Sequence, residues 1–241
     1  MNEPVIVELV GLPGAGKTTL ATRVLDTSAD STGRTGGRAL LRTARAARSA
    51  PFGFFLRHPA AAAASGGLLA AALLSGPDAV IHAGRLAMWG GHLETLATTD
   101  CELLVLDQGA VQQAWSAAHR LGPGGMRRVE PVLRSLLRSS PVQPILVFCD
   151  LPPELAWRRV QAREDGRSML DGMSHERALP LLKTAAPALQ GLTERISRDL
   201  GLPYLLLDTS EHLDIAAARL RDFLSDATLN PRSSAASLPV G

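Results

Sequence analysis

Four short, nearly continuous apolar runs punctuate the chain: 5–10 (VIVELV), 103–106 (LLVL), 145–149 (ILVFC) and 204–207 (YLLL). Each runs into a glycine or an aspartate, and sequence of helical period separates one from the next. Strands apolar on both faces and alternating with helices predict a parallel sheet covered on both sides. A weaker run at 79–82 (AVIH) is a candidate fifth strand. Helices are expected at 17–25, 110–121, 153–163 and 213–224, each after one of the four strands, with longer helical stretches over about 38–74 and 84–98. Glycine clusters at 33–37 and 122–125 predict turns or loops. From 228 to 241 the chain is rich in Ser, Ala, Pro and Asn without periodicity, which predicts a disordered tail. The expectation is one α/β domain over 1–227, a three-layer sandwich with a helical insertion at about 38–100.

Composition narrows the class. A chain of 241 residues, 46% hydrophobic and 20% charged, can bury a substantial core. With 25 basic and 23 acidic residues it carries no net field that would favour nucleic acid or a membrane surface. The stretch 59–74 is mainly alanine interrupted by Ser65, Gly66 and Gly67, short of a membrane span, and the first residues lack a secretory pattern. A cytoplasmic protein is therefore expected. Cys101 and Cys149 stand outside any metal-type spacing and are expected to be buried thiols.

Only two of the 25 basic residues are lysines, and one of them, Lys17, completes a GxxxxGK[ST] sequence. The segment Gly11-Leu12-Pro13-Gly14-Ala15-Gly16-Lys17-Thr18-Thr19 follows the first strand and opens the first helix, the arrangement of a phosphate loop, or Walker A motif. Glycines let consecutive N–H groups turn inward around an anion, and the helix N-terminus adds its partial positive charge. Lys17 then reaches the β- and γ-phosphates, and Thr18 offers a hydroxyl to Mg²⁺. Binding of ATP, or of GTP in its place, follows from this motif.

A carboxylate is also needed. Asp107 ends the second run, where open α/β sheets collect their ligands. It is a candidate to hold Mg²⁺ through water or to accept a proton from an acceptor hydroxyl; capping the helix near Ala110 is the alternative. Glu8, inside an apolar strand, either pairs with an arginine or points into the site. His82, His92, His119 and Asp208 show no ligand spacing, and surface or capping roles are expected for them. After the third strand, Arg158, Arg159, Arg163 and Arg167 gather, with Arg159 and Arg163 four apart on one expected helical face. A nucleotide triphosphate would relieve their repulsion. The alternative is a solvated helix with Glu154 and Glu164 as partners.

Three segments, GLPGAGKTTL at 11–20, LLVLDQG at 103–109 and VFCDLPPELAWRRVQAREDGRS at 147–168, resemble the phosphate-loop nucleoside and nucleotide kinases, in particular the thymidylate kinase-like group. The resemblance covers the nucleotide-binding framework, about half the chain. It implies Mg²⁺ and a nucleotide, a lid at about 158–172 whose Arg159, Arg163 and Arg167 close over the transferring phosphate, and compatibility with a homodimer. Gln108 stands where the group has an arginine that grips a phosphate on the acceptor. A neutral hydroxyl acceptor therefore stands beside a phosphate acceptor as an alternative. Arg34, Arg38, Arg42 and Arg45 are candidate phosphate contacts from the insertion; Trp89 and Trp115 are read as core.

The expected activity is transfer of the γ-phosphate of Mg·ATP to a small nucleoside- or nucleotide-like acceptor. The other reading is a regulatory ATPase acting on a protein partner, in which Gln108 positions water.

Overall fold

The computed structural model describes residues 4–29, 38–41, 51–99, 101–163, 170 and 172–229. In chain order the elements are β1 (Val5–Gly11), α1 (Lys17–Ala29), β2 (Arg38–Leu41), α2 (Pro51–Arg57), α3 (Pro59–Leu73), α4 (Pro77–Ala97) and β3 (Leu103–Leu106). There follow α5 (Ala110–Arg120), α6 (Gly125–Arg138), β4 (Ile145–Asp150), α7 (Pro153–Gln161), α8 (His175–Leu200), β5 (Tyr204–Asp208) and α9 (Leu213–Leu229). The strands form a five-stranded sheet in the order β2-β3-β1-β4-β5. The registered pairs β1–β3, β2–β3 and β4–β5 are parallel. The α/β sandwich expected from the four apolar runs is thus the observed architecture, and all four runs are strands.

Two expectations for the insertion are corrected. The segment 79–82 is not a strand but the first turns of α4, a helix that Pro77 opens at its N-terminus and Asp78 favours electrostatically. Nor is 38–74 helical throughout. Arg38–Leu41 is a strand whose backbone pairs with β3 from Leu103 to Leu106, so Arg38 does not lie at helical spacing with Arg42 and Arg45. Arg34, Arg42 and Arg45 fall outside the described residues, as do the whole of the expected 33–37 turn and 230–241 of the expected tail. α9 runs two residues past the expected domain end, to Leu229.

Helices α6 and α8 appear where no helix was named. Both carry internal prolines, Pro131 in α6 and Pro180 and Pro187 in α8, residues that ordinarily signal a helix end. Packing overrides that signal: Val129, Val132, Leu133, Leu136 and Leu137 of α6 are all buried.

Contacts divide the described residues between two compact units, within Met1–Glu8 and Gly36–Pro144 for one and Leu9–Thr35 and Ile145–Gly241 for the other. In the first unit, α4 packs on α2, α3 and α5, and α5 on α6. Phe54 of α2 is fully buried, and its ring occupies the place where a Cβ on Gly90 of α4 would stand. Trp89 and Trp115 are buried, as expected of core residues. In the second unit α1 packs on α9, bridged at the surface by Arg23 and Asp214, and α7 packs on α8, bridged by Glu154 and Lys183. Cys101 and Cys149 are buried and unbonded to one another.

Candidate active site

The glycine-rich loop expected to hold phosphate, 11–19, belongs to the second unit and is built by close backbone approach. β1 ends at Gly11, where a Cβ would lie 2.7 Å from the carbonyl oxygen of Cys149 in β4. Gly14 has φ +87° and faces the carbonyl of Ala156 in α7 so closely that a Cβ there has no room. Gly16 follows at φ +78°. Side chains other than glycine are strained in this left-handed region, and the resulting turn aims successive N–H groups to one side. Pro13 and Ala15 fill the positions between; the Ala15 N–H donates to the Leu12 carbonyl at 3.1 Å, closing the turn.

α1 begins at Lys17, directly after Gly16. The Lys17 ammonium is half-buried, and its Nζ donates to the carbonyls of Gly11 at 2.8 Å and Leu12 at 2.9 Å. It is thereby folded back across the loop it follows. Thr18, the second residue of α1, is half-buried, and Thr19 is exposed. Burial pushes the Cys149 thiol up to about 12, with Lys17 pulling the other way. That sulfur stays protonated at neutral pH, so the cysteine behind the loop is a packing residue and no nucleophile.

Of the arginines expected to form a lid, Arg159 lies beside the loop. Its Nη2 donates to the carbonyl of Thr209 at 3.1 Å, and its Nη1 lies 3.7 Å from the point where a Cβ on Gly16 would stand. Thr209, just past β5, is itself fixed, because its N–H and its Oγ1 both donate to the Asp150 carbonyl at 2.8 Å. The chain around Arg163 departs from expectation. α7 ends at Gln161 with Ala162 as its cap, so Arg163 is exposed beyond the helix and does not share a helical face with Arg159. Arg167 and Glu164 lie outside the described residues. Glu154 pairs with Lys183 at 2.9 Å, and Lys183, with a smaller contribution from Arg158, holds its carboxyl below the usual range.

The first unit holds the carboxylates. Asp107 follows β3 directly and is 7% exposed, whereas the neighbouring Gln108 is exposed. The N-cap of α5 is Gly109, two residues past Asp107, and Gly109 has no side chain with which to cap. The capping role goes instead to Glu8, reading neither as an arginine partner nor as a group open to the site. Its Oε1 accepts from the N–H of Val111 at 2.8 Å and of Gln112 at 3.0 Å. Burial raises the Glu8 carboxyl to about 7, against the lowering effect of N–H groups at Gln112, Val111 and Ala110.

Spacing could not have revealed that cap, because the partners are 103 residues apart in the chain. The one sequence signal was a lone carboxylate in an apolar strand. Among the histidines, His92 is buried against the Trp89 ring, not at the surface, while Asp208 caps the turn after β5 by accepting from the N–H and Oγ of Ser210.

No protein-family model and no curated protein matches the chain. Solved structures do. The deoxyadenosine kinase of M. mycoides with bound dATP is 11% identical, with 92% of this chain and 99% of that one covered and a TM-score of 0.49. The shikimate kinase of Bacteroides thetaiotaomicron is 16% identical, with 92% of this chain and 98% of that one covered and a TM-score of 0.50. No helix among the described residues is long and apolar enough to cross a membrane. What the chain shares with the shikimate kinase is its α/β fold.

Proposed function

We propose that the protein is a kinase that transfers the γ-phosphate of Mg·ATP to a small molecule, in which an acceptor hydroxyl or phosphate oxygen attacks the γ-phosphorus. The observation that carries this reading is the phosphate loop, with Gly14 and Gly16 in left-handed conformations ahead of a helix that opens on Lys17. Backbone N–H groups in such a turn suit the β-phosphate, and the Lys17 ammonium, whose Nζ donates to the carbonyls of Gly11 and Leu12, lies across the same loop, where phosphate oxygens would accept from it. Arg159 and Arg163 are assigned to the charge on the transferring group, with Arg159 the better supported because it already reaches toward Gly16. Arg167 keeps its assignment from the sequence alone.

Asp107 is assigned to the acceptor, whose proton it takes as the new P–O bond forms and the bond to the β–γ bridging oxygen breaks. Its burial at the carboxyl end of a parallel strand supports this role. Thr18 and Asp107 offer a hydroxyl and a carboxylate, hard oxygen donors of the kind Mg²⁺ takes alongside water and phosphate. When bound, that ion would neutralise charge on the β- and γ-oxygens. The resemblance to thymidylate kinases rests on sequence motifs alone, and Gln108 favours an acceptor without a phosphate to be gripped at that position.

The test is Mg·ATP turnover against a panel of nucleosides, nucleoside monophosphates, sugars and aminoglycosides, beside an acceptor-free control. Acceptor-dependent ADP release is expected. Steady hydrolysis in the control, unstimulated by every compound, would replace the kinase with the regulatory ATPase.

A further inference from the structure

Asp107 occupies a three-residue segment, Asp107-Gln108-Gly109, between the last residue of β3 and the first of α5. One residue of β1 stands beside both ends of that segment and bonds the helix end. At the strand end, Glu8 stands in parallel register with Leu106, the residue immediately before Asp107. At the helix end, the Glu8 carboxylate accepts from the N–H groups of Val111 and Gln112. A helix N-terminus leaves such donors without partners inside the helix, and Gly109 as N-cap supplies no side chain to meet them. The same carboxyl fills the space beside Gly109, so that any Cβ at 109 would collide with it. Glu8 is 1% exposed, and these bonds offset a desolvation cost that a carboxyl in an apolar strand would otherwise leave uncompensated.

We infer that Glu8 is a positioning residue, whose carboxyl ties the helix end of the Asp107 segment to the strand beside β3 so that the Asp107 carboxylate is presented in one fixed place. The inference rests on the phosphotransfer reading above and gives it a further residue. Glu8 acts through Asp107 and touches no substrate. A cap that served stability alone would, when removed, lower melting temperature and leave the kinetics of the folded enzyme unchanged. A positioning residue changes kcat, because displacing a catalytic group by about 1 Å costs on the order of 10²-fold in rate.

The experiment compares wild type, E8A, E8Q and G109A, using the best acceptor from the compound panel, with amide hydrogen exchange read at Val111 and Gln112. E8A removes both acceptor bonds; E8Q keeps a carbonyl oxygen for the two N–H groups; G109A leaves Glu8 in the chain but expels its carboxyl by steric conflict. E8A and G109A are expected to exchange faster at Val111 and Gln112 and to lose about 10²-fold in kcat, with the KM for ATP within about threefold of wild type. E8Q is expected to recover most of both. Unchanged exchange in E8A, or faster exchange with wild-type kcat, overturns the positioning role and leaves the kinase reading standing. A parallel loss of ATP binding also overturns it, since the damage would then be general. Should E8A fail to fold, G109A against E8Q decides the same question. Absence of acceptor-dependent transfer in wild type overturns the kinase reading, and the role of Glu8 in it, at the outset.

Discussion

At the scale of single residues, charge placement controls what this chain can do. Lys17 is the one side chain of the 11–18 loop that carries a formal charge, and its Nζ donates to two carbonyls of that loop. Lys17→Ala is expected to leave circular dichroism unchanged and to lower acceptor-dependent turnover by at least about 10²–10³-fold. Glu8 makes a second prediction through pH. Its carboxyl is raised from 4.5 in the unfolded chain to about 7 in the fold. Between those values the unfolded chain releases the proton and the folded chain retains it, so stability falls as pH rises through the window. The contribution is fully present below 4.5 and lost above about 7, on the order of 3 kcal/mol over the whole shift. Urea denaturation at about pH 5 and about pH 8 is expected to show this fall in wild type and a flatter profile in Glu8→Gln. The turn ahead of Lys17 was legible from its glycine spacing, because left-handed backbone favours glycine at fixed places. Glu8 was legible only as an anomaly, since what resolves it, the start of α5, is remote in sequence.

At the scale of elements, the phosphate loop and α7 form one packed unit. Gly14 has a backbone conformation and a neighbour, the Ala156 carbonyl, that both exclude a side chain. Gly14→Ala is expected to destabilise the fold by about 1–3 kcal/mol and to weaken ATP binding, measured by denaturation and by titration calorimetry. The strands at the sheet centre were legible because apolar residues on both faces leave few alternatives. The insertion was not. Ala79, Val80, Ile81 and His82 suit a strand by composition, yet Pro77 and Asp78 ahead of them start a helix, and α4 is 21 residues long. Arg38–Leu41 reads as helix from its arginine spacing, but as strand once β3 is present to pair with it. Pro131, Pro180 and Pro187 concealed α6 and α8. For β2 and for the two proline-bearing helices, pairing or packing outweighed a local preference of about 1–3 kcal/mol, whereas in α4 one local signal outweighed another.

At the scale of the whole molecule, the two compact units are drawn from interleaved segments, so that neither is a single stretch of chain. A ligand of either unit therefore acts on the stability of a chain that cannot be cut once to separate them. Mg·ATP at about 100 times its Kd is expected to add about 2.7 kcal/mol, raising the melting temperature by roughly 5–10 °C. Lys17→Ala should abolish that shift in a thermal melt, and an undiminished shift in the variant would count against the phosphate loop as the binding place.

The meeting of Phe54 with Gly90 has a consequence for chemical complementation. Because the buried phenyl ring fills a recess that exists only where α4 lacks a side chain, Phe54→Ala opens a closed, ring-shaped space beside the rings of Phe55 and His58. The loss is expected to be about 3–5 kcal/mol. A vacancy of that shape stays dry and accepts small aromatic solutes. Benzene or toluene added to the truncated protein should restore part of its melting temperature and leave wild type unmoved, so that a missing side chain is replaced by a solute in the buffer.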